Sequence, residues 1–302
     1  MDGILIIDKP DGFTSHDVVA RVRSILKTKR VGHTGTLDPF ATGVMVVLVG
    51  KATRLAQFLD KDEKEYEALL RFGFETDTGD LTGVRSAECG MRIEELEAKL
   101  TSVNWNNIFG DFLGETKQTP PMYSAKKVDG QKLYDLARKG QTVKREAVRI
   151  NISKLELMET RPIRTPHSAL RIRVVCSAGT YIRTLAEDIG RKVGTGAHLA
   201  ELRRTRAGRF DLSRSITLDE LEKLDDPITA LIGMDVAVEH LPSITLIADR
   251  VEKTKSGLST RIAETKFTDS QPIRLLDEND NLIAVGFFDE TENSIRPKVV
   301  LV

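Results

Sequence analysis

At 302 residues, with 40% hydrophobic and 30% charged residues and a formal net charge of zero, the chain has an ordinary globular composition, long enough for one large domain and a small one. No apolar run approaches the roughly 20 residues that a membrane helix requires, so no membrane span is expected. Cys89 and Cys176 lack metal-ligand spacing, and the acidic start Met1-Asp2-Gly3 reads as neither signal nor transit peptide, which predicts reduced thiols and a cytoplasmic protein.

In chain order, Gly3–Asp8 holds four consecutive apolar residues and ends in Lys9-Pro10-Asp11-Gly12, which predicts a short buried strand and a turn. Ser15 reads as the N-cap of a helix running to Leu26, with Val18, Val19, Val22 and Ile25 on its apolar face. Residues 32–43, Gly-His-Thr-Gly-Thr-Leu-Asp-Pro-Phe-Ala-Thr-Gly, read as a loop of unusual content: three glycines, a proline, a histidine and one carboxylate, Asp38. Such glycines let a ligand approach the backbone, and Pro39 biases Asp38 toward extended backbone, away from local capping partners. The plainer reading is a long surface turn with Asp38 as a turn former.

Val44–Val49 predicts a second buried strand, Gly50–Leu59 a turn and short helix, and Lys64–Phe72 a strand with Tyr66 near its start. The polar loop Thr76–Gly83 lacks the terminal glutamate of a calcium loop, so no metal site is assigned there. Arg92–Val103 has helical periodicity. Gln118–Lys127, with Pro120-Pro121, Tyr123 and two lysines, reads as a stiff basic loop suited to covering a ligand, followed by a helix over Lys132–Lys139. Thr142–Glu159 and Leu170–Val174 alternate polar and apolar, as antiparallel strands do. Cys176–Gly190 reads as a strand end, a glycine turn, a Thr180 cap and a helix carrying Tyr181 and Arg183 in its first turn. Leu199–Arg209 is a basic segment containing Leu202, and Ser215–Leu224 a small helix that closes a domain. Beyond Asp235, four strand candidates (Ile244–Ile247, Ile273–Leu276, Leu282–Phe288 and Val299–Val302) form a β-rich module.

Charge is spread unevenly along this order. Nine Lys/Arg stand against three acids from Lys117 to Arg149, and twelve against four from Arg161 to Arg214, whereas nine face seventeen from Ile216 onward. A basic centre with an acidic end predicts two domains, one of them facing a polyanion.

The 32–43 loop resembles the catalytic motif of the pseudouridine synthases, and of their TruB branch in particular. Four further blocks agree in order: Asp8-Lys9-Pro10; Lys64-Glu65-Tyr66 with the Thr76–Gly83 loop; Gln118–Gly140; and Cys176–Arg204. The resemblance implies an α+β fold, with a mixed, mostly antiparallel central sheet flanked by helices, over residues 1–234. It also implies a thumb-like loop at about 118–140 and a small β-rich, PUA-like domain over 235–302. The implied activity is isomerisation of the TΨC-loop uridine (position 55) of tRNA to pseudouridine, with no cofactor and no metal. No protein or guide-RNA partner is implied, and a monomer is expected.

By the same resemblance Asp38 is the nucleophile, a role in which one carboxylate divides a hard step into two easier ones. Tyr66 matches the tyrosine that stacks on the target base and is proposed to take the C5 proton; a phenol with a pKa near 10 is a sluggish base, which favours stacking. Arg183 matches an arginine paired with the aspartate, a pairing expected to lower the carboxyl pKa. Tyr181 and Leu202 match residues lining the base pocket, and His33 one that contacts the substrate and assists the flip of the base. Lys9 and the Gln118–Lys127 loop are expected to meet phosphates. The alternative is a non-catalytic tRNA-binding module or RNA chaperone, which has no use for Asp38, Tyr66 and Arg183 together.

Overall fold

A nine-stranded sheet organises the first part of the chain. Its strands are β1 (Gly3–Lys9), β2 (Val31–Thr34), β3 (Thr42–Val49), β4 (Lys64–Phe72), β5 (Gly114–Gln118), β6 (Val148–Leu157), β7 (Ala169–Cys176), β8 (Ala197–Ala207) and β9 (Phe210–Asp211). This is a computed structural model, and it describes all residues except 61, 125, 129, 159–168 and 263–266. The strand order is β1-β3-β8-β4-β7-β6-β5, with β2 beside β3 and β9 beside β8. Every pair is antiparallel except β3 with β8.

β1 and β3 read as unbroken apolar runs because both of their faces are covered. Leu5, Ile7, Met45, Val47 and Val49 pack against Val18, Val19 and Val22 of helix α1 (Ser15–Ile25). Ile4, Ile6, Val44, Val46 and Leu48 face the other way, into a cluster with Val285, Val299 and Leu301 from the C-terminal region. A third cluster joins β4, β6, β7 and β8 to helix α2 (Ile182–Val193) and includes Leu37, Tyr66 and Leu202. The C-terminal region forms its own five-stranded sheet. In chain order its strands are β10 (Ser243–Thr245), β11 (Thr260–Arg261), β12 (Pro272–Leu276), β13 (Leu282–Asp289) and β14 (Ser294–Val300), and in space β10-β12-β13-β14-β11. This is the α+β class expected from the sequence, with a β-rich C-terminal part. Among the described residues no helix is long and apolar enough to cross a membrane.

The position of the 32–43 stretch follows from register. One edge of β3 is shared: β2 pairs with residues 46–49, while β8 pairs with Thr42 and Gly43. The chain between Gly35 and Ala41 emerges from the fork between β2 and β8. Gly43 makes the close parallel approach possible. Its φ is +101°, and a Cβ there would lie 2.2 Å from the Arg204 carbonyl oxygen.

Several local expectations change. The N-cap of α1 is Thr14, which forms a capping box with Asp17, and Ser15 is buried and used elsewhere. Residues 31–34 are a strand, so His33 sits on β2 and not in the loop. The β6 strand starts at Val148, and residues 142–147 lie outside it. Tyr181 itself, in extended backbone, is the cap residue of α2, which moves Thr180 and Tyr181 out of the helix.

Candidate active site

Asp38 lies on the wall of a cleft of about 410 Å³ lined also by Tyr66, Tyr181, Arg183, Leu202, Lys64 and Arg204. Its side chain keeps 33% of its surface open to that cleft. The loop carrying it is fastened on both sides. The Ser15 hydroxyl donates to the Leu37 carbonyl at 3.1 Å and accepts the Leu37 N–H at 2.9 Å. The Lys9 ammonium donates to the Pro39 carbonyl at 3.0 Å and the Pro10 carbonyl at 2.8 Å, and Gly12 N–H reaches the same Pro39 carbonyl. Held before and after, the carboxylate has a defined direction.

That direction is toward Arg183. Its Nε lies 2.9 Å from Asp38 Oδ2, and Nη2 donates to Oδ1 at 3.2 Å, a fork that fixes both oxygens. Arg183 is buried and itself held on every side. Nη1 donates to Thr78 O at 3.1 Å and faces Asp80 Oδ2 at 3.5 Å, while Nη2 also donates to Tyr123 O at 2.7 Å. Asp80 is oriented in turn by the Thr78 and Thr82 hydroxyls and the Thr82 N–H, all donating to Oδ1. The Thr76–Gly83 loop is therefore the back-plate of the site. Among the described residues no group of three His, Cys, Asp or Glu could hold a metal ion.

Burial pushes the Asp38 carboxyl above the usual range; Arg183 opposes this, Asp80 adds to it, and Lys9 opposes it weakly. The pairing expected to depress the pKa is thus outweighed by loss of water and by a second carboxylate behind the arginine. Tyr66 is buried, and burial raises its hydroxyl pKa while a hydrogen bond from Arg204 works against that. The phenol is therefore protonated near neutrality, which leaves little phenolate to take a proton.

The structure gathers Asp38, Tyr66, Tyr181, Arg183 and Leu202 around one cleft. His33 does not line it. The ring packs edge-on to His16 at 5.9 Å between centroids, its Nδ1 has no hydrogen-bond partner, and burial, His16 and Arg204 all lower its pKa. His16 lines a neighbouring hollow of about 460 Å³ that shares Asp38, Arg183, Tyr123 and Ser124 with the site. Lys9, expected to meet phosphate, is fully buried, with its pKa pushed down to about 8 by burial, and its ammonium is held by the Pro10 and Pro39 carbonyls beneath the loop.

Residues that sequence reasoning did not single out complete the site. Gln118, placed there in a phosphate-facing loop, is buried and clamps Tyr181 in both directions: Nε2 donates to Tyr181 O at 3.0 Å, and Oε1 accepts Tyr181 N–H at 2.8 Å. Arg204 donates to Val44 O at 2.6 Å and Gly35 O at 3.0 Å beneath the loop. The basic surplus of 161–214 is mostly spent within the protein: Arg171, Arg173, Arg183, Arg191, Arg203, Arg206 and Arg209 all pair with carboxylates. Lys117, Lys126, Lys139, Lys144 and Arg149 enter no ion pair among the described residues, which leaves the 117–149 segment as the freer positive surface.

Residues 23–182 match the TruB family pseudouridylate synthase N-terminal domain, and residues 183–232 the tRNA pseudouridylate synthase B C-terminal domain. The chain is 46% identical over 293 residues to tRNA pseudouridine synthase B of Solibacter usitatus (strain Ellin6076), covering 95% of each chain. It is 43% identical over 270 residues to the protein of the same name from Geobacillus thermodenitrificans (strain NG80-2), covering 87% of this chain and 86% of that one. A solved Cbf5-Nop10-Gar1 complex contains a chain that superposes with a TM-score of 0.74 at 28% identity, over 99% of this chain and 85% of that one. The chain belongs to the TruB family of pseudouridylate synthases.

Proposed function

We propose that this protein isomerises the TΨC-loop uridine (position 55) of tRNA to pseudouridine, with Asp38 as the nucleophile. A tRNA uridine-to-pseudouridine isomerase is what the family and its curated relatives support. The observation that carries the assignment of Asp38 is the two-point grip of Arg183 on a carboxylate still open to the cleft. A fixed carboxylate beside the bound nucleoside replaces a bimolecular encounter with an oriented one. The C1′–N1 bond breaks, the base turns within the cleft, and C5 bonds to C1′. A proton leaves C5 and another is taken up at N1.

Tyr66 stacks on the extruded base, Tyr181 and Leu202 close the pocket around it, and the His33–His16 pair meets the RNA beside it. Removing the nucleotide from its stack costs a few kcal/mol, which the pocket contacts offset. The thumb-like loop at about 118–140 meets phosphate. Residues 1–234 act as the catalytic domain and 235–302 as a small PUA-like accessory domain. The protein works as a cytoplasmic monomer on the T stem-loop, without protein or guide-RNA partner. Release of tritium from tRNA labelled at uridine C5 tests the reaction directly. Binding of tRNA with no release of tritium would favour the binding-module reading.

A further inference from the structure

We propose that Arg204, with Lys64 beside it, forms a buried cationic floor that stabilises the uracil ring while it carries negative charge during the isomerisation. The inference rests on the reaction proposed above and extends it to residues outside the Asp38–Arg183 grip.

Arg204 lines the cleft yet is only 1% exposed. Its guanidinium meets neutral acceptors: Val44 O, Gly35 O and the Tyr66 hydroxyl. The other arginines of β8, Arg203 and Arg206, each reach a carboxylate, whereas Arg204 has none within 4.0 Å among the described residues. Lys64 repeats the pattern. It is 6% exposed, its ammonium donates to Asp60 O at 2.7 Å and Asp62 O at 2.6 Å, and it too has no carboxylate within 4.0 Å among the described residues. The Asp60 and Asp62 carboxylates act on it from farther away, and burial lowers its pKa. Both cations lie under the catalytic loop. A Cβ on Gly35 would stand 3.3 Å from Arg204 Nη1 and 3.6 Å from Lys64 Cε.

A buried charge without a counter-charge carries a large desolvation penalty, so its position calls for an anion that arrives with the ligand. The walls above the floor, Tyr66 and Leu202, suit a flat, uncharged ring better than a phosphate. A uracil ring enters neutral and becomes anionic only during the reaction. When C1′–N1 breaks, its electron pair stays on the base, spread over N1, O2 and O4, while C1′ is taken by the Asp38 carboxylate. C5 of the turned ring then displaces that ester, the C5 proton passes to water in the cleft, and N1 takes up a proton. Attack of Asp38 at C6 also sends an electron pair toward O4. Fixed positive charge that meets negative charge developing on the base favours the transition state over the bound substrate.

The test compares tRNA carrying uridine with tRNA carrying 5-fluorouridine at the target position, under single turnover, following loss of the N-linked nucleoside by digestion and chromatography. Fluorine makes the departing base more acidic, so it needs less help from the protein. Arg204→Gln is expected to slow uridine conversion by about 10²–10³-fold, with a loss roughly tenfold smaller on the fluorinated substrate. Arg204→Lys, which keeps the charge, recovers most of the uridine rate. Lys64→Gln shows the same substrate-dependent pattern more weakly, and it carries the test if Arg204→Gln lacks a cooperative melt. Equal losses on both substrates, the mark of a structural role, would overturn the inference. Asp38→Asn in the same assay separates the two claims: if it is inactive on both substrates, a uniform loss in Arg204→Gln refutes only the cationic floor.

Discussion

Replacing Arg183 by Met tests how the site holds Asp38, the proposed nucleophile. The substitution keeps an unbranched apolar stem beside the third core cluster and removes the fork on Asp38, the donors to Thr78 O and Tyr123 O, and the cation facing Asp80. Taking one partner from a buried pair typically costs about 3–5 kcal/mol. Asp38 keeps a third of its side chain exposed, and Asp80 keeps its hydrogen bonds from Thr78 and Thr82, so a loss of stability of about 3 kcal/mol, at the low end, is expected. A carboxylate free to rotate also loses its near-attack geometry, which is worth about 10²-fold or more in rate. The pH dependence carries a sign. In the proposed reaction Asp38 acts as the carboxylate, so the rate is expected to rise as pH passes its pKa. Burial and Asp80 raise that pKa and Arg183 opposes them, so removing Arg183 moves the acid limb of the profile to higher pH. Single-turnover rates across pH, with thermal unfolding of the same samples, measure both effects. Arg183→Lys keeps a charge without the fork, so it should restore the limb more than the rate. An acid limb that stays in place or moves down in Arg183→Met would refute the electrostatic reading of the pair.

Two other substitutions probe the frame and the surface. Gly43→Ala forces a Cβ against the Arg204 backbone at a φ of +101°, so a loss of about 3 kcal/mol or more in denaturant unfolding is expected, and a loss under about 1 kcal/mol would show that β3 and β8 need no such close approach. Affinity for tRNA should fall steeply with salt, and Lys126→Ala, in the segment with few internal partners, should lower the slope of log K against log salt by about 1. A slope left unchanged by that variant would move the phosphate contact elsewhere.

Much of this architecture is legible along the chain, and the reasons are local. Lys64–Phe72 is found as expected because its apolar residues and its ends both declare a strand. The doubled burial of β1 and β3 is visible in Ile4–Ile7 and Val44–Val49, where no polar residue interrupts the run. Asp38 stands out because its loop has no core composition, and Arg183 is reached through the family motif. What stays hidden depends on contacts distant in sequence. Nothing near Lys9 or Arg204 tells that backbone carbonyls of other segments hold these charges below the surface. Gln118 reads as part of a phosphate-facing loop because its partner, Tyr181, lies 63 positions away. The basic count of 161–214 overstates the free charge because the acids that neutralise it come from elsewhere, as Glu75 does for Arg191 and Asp8 for Arg203. The fork of β2 and β8 that presents the loop carrying Asp38 is a matter of register, which a linear pattern does not encode.

The central claim is that Asp38 performs the chemistry and is not needed for holding RNA. Asp38→Asn, close to the native side chain in shape but without the negative charge, should bind tRNA nearly as well as the unaltered protein and release no tritium from C5-labelled tRNA over many half-times of the normal reaction. Tritium release at a rate close to that of the unaltered protein would contradict it.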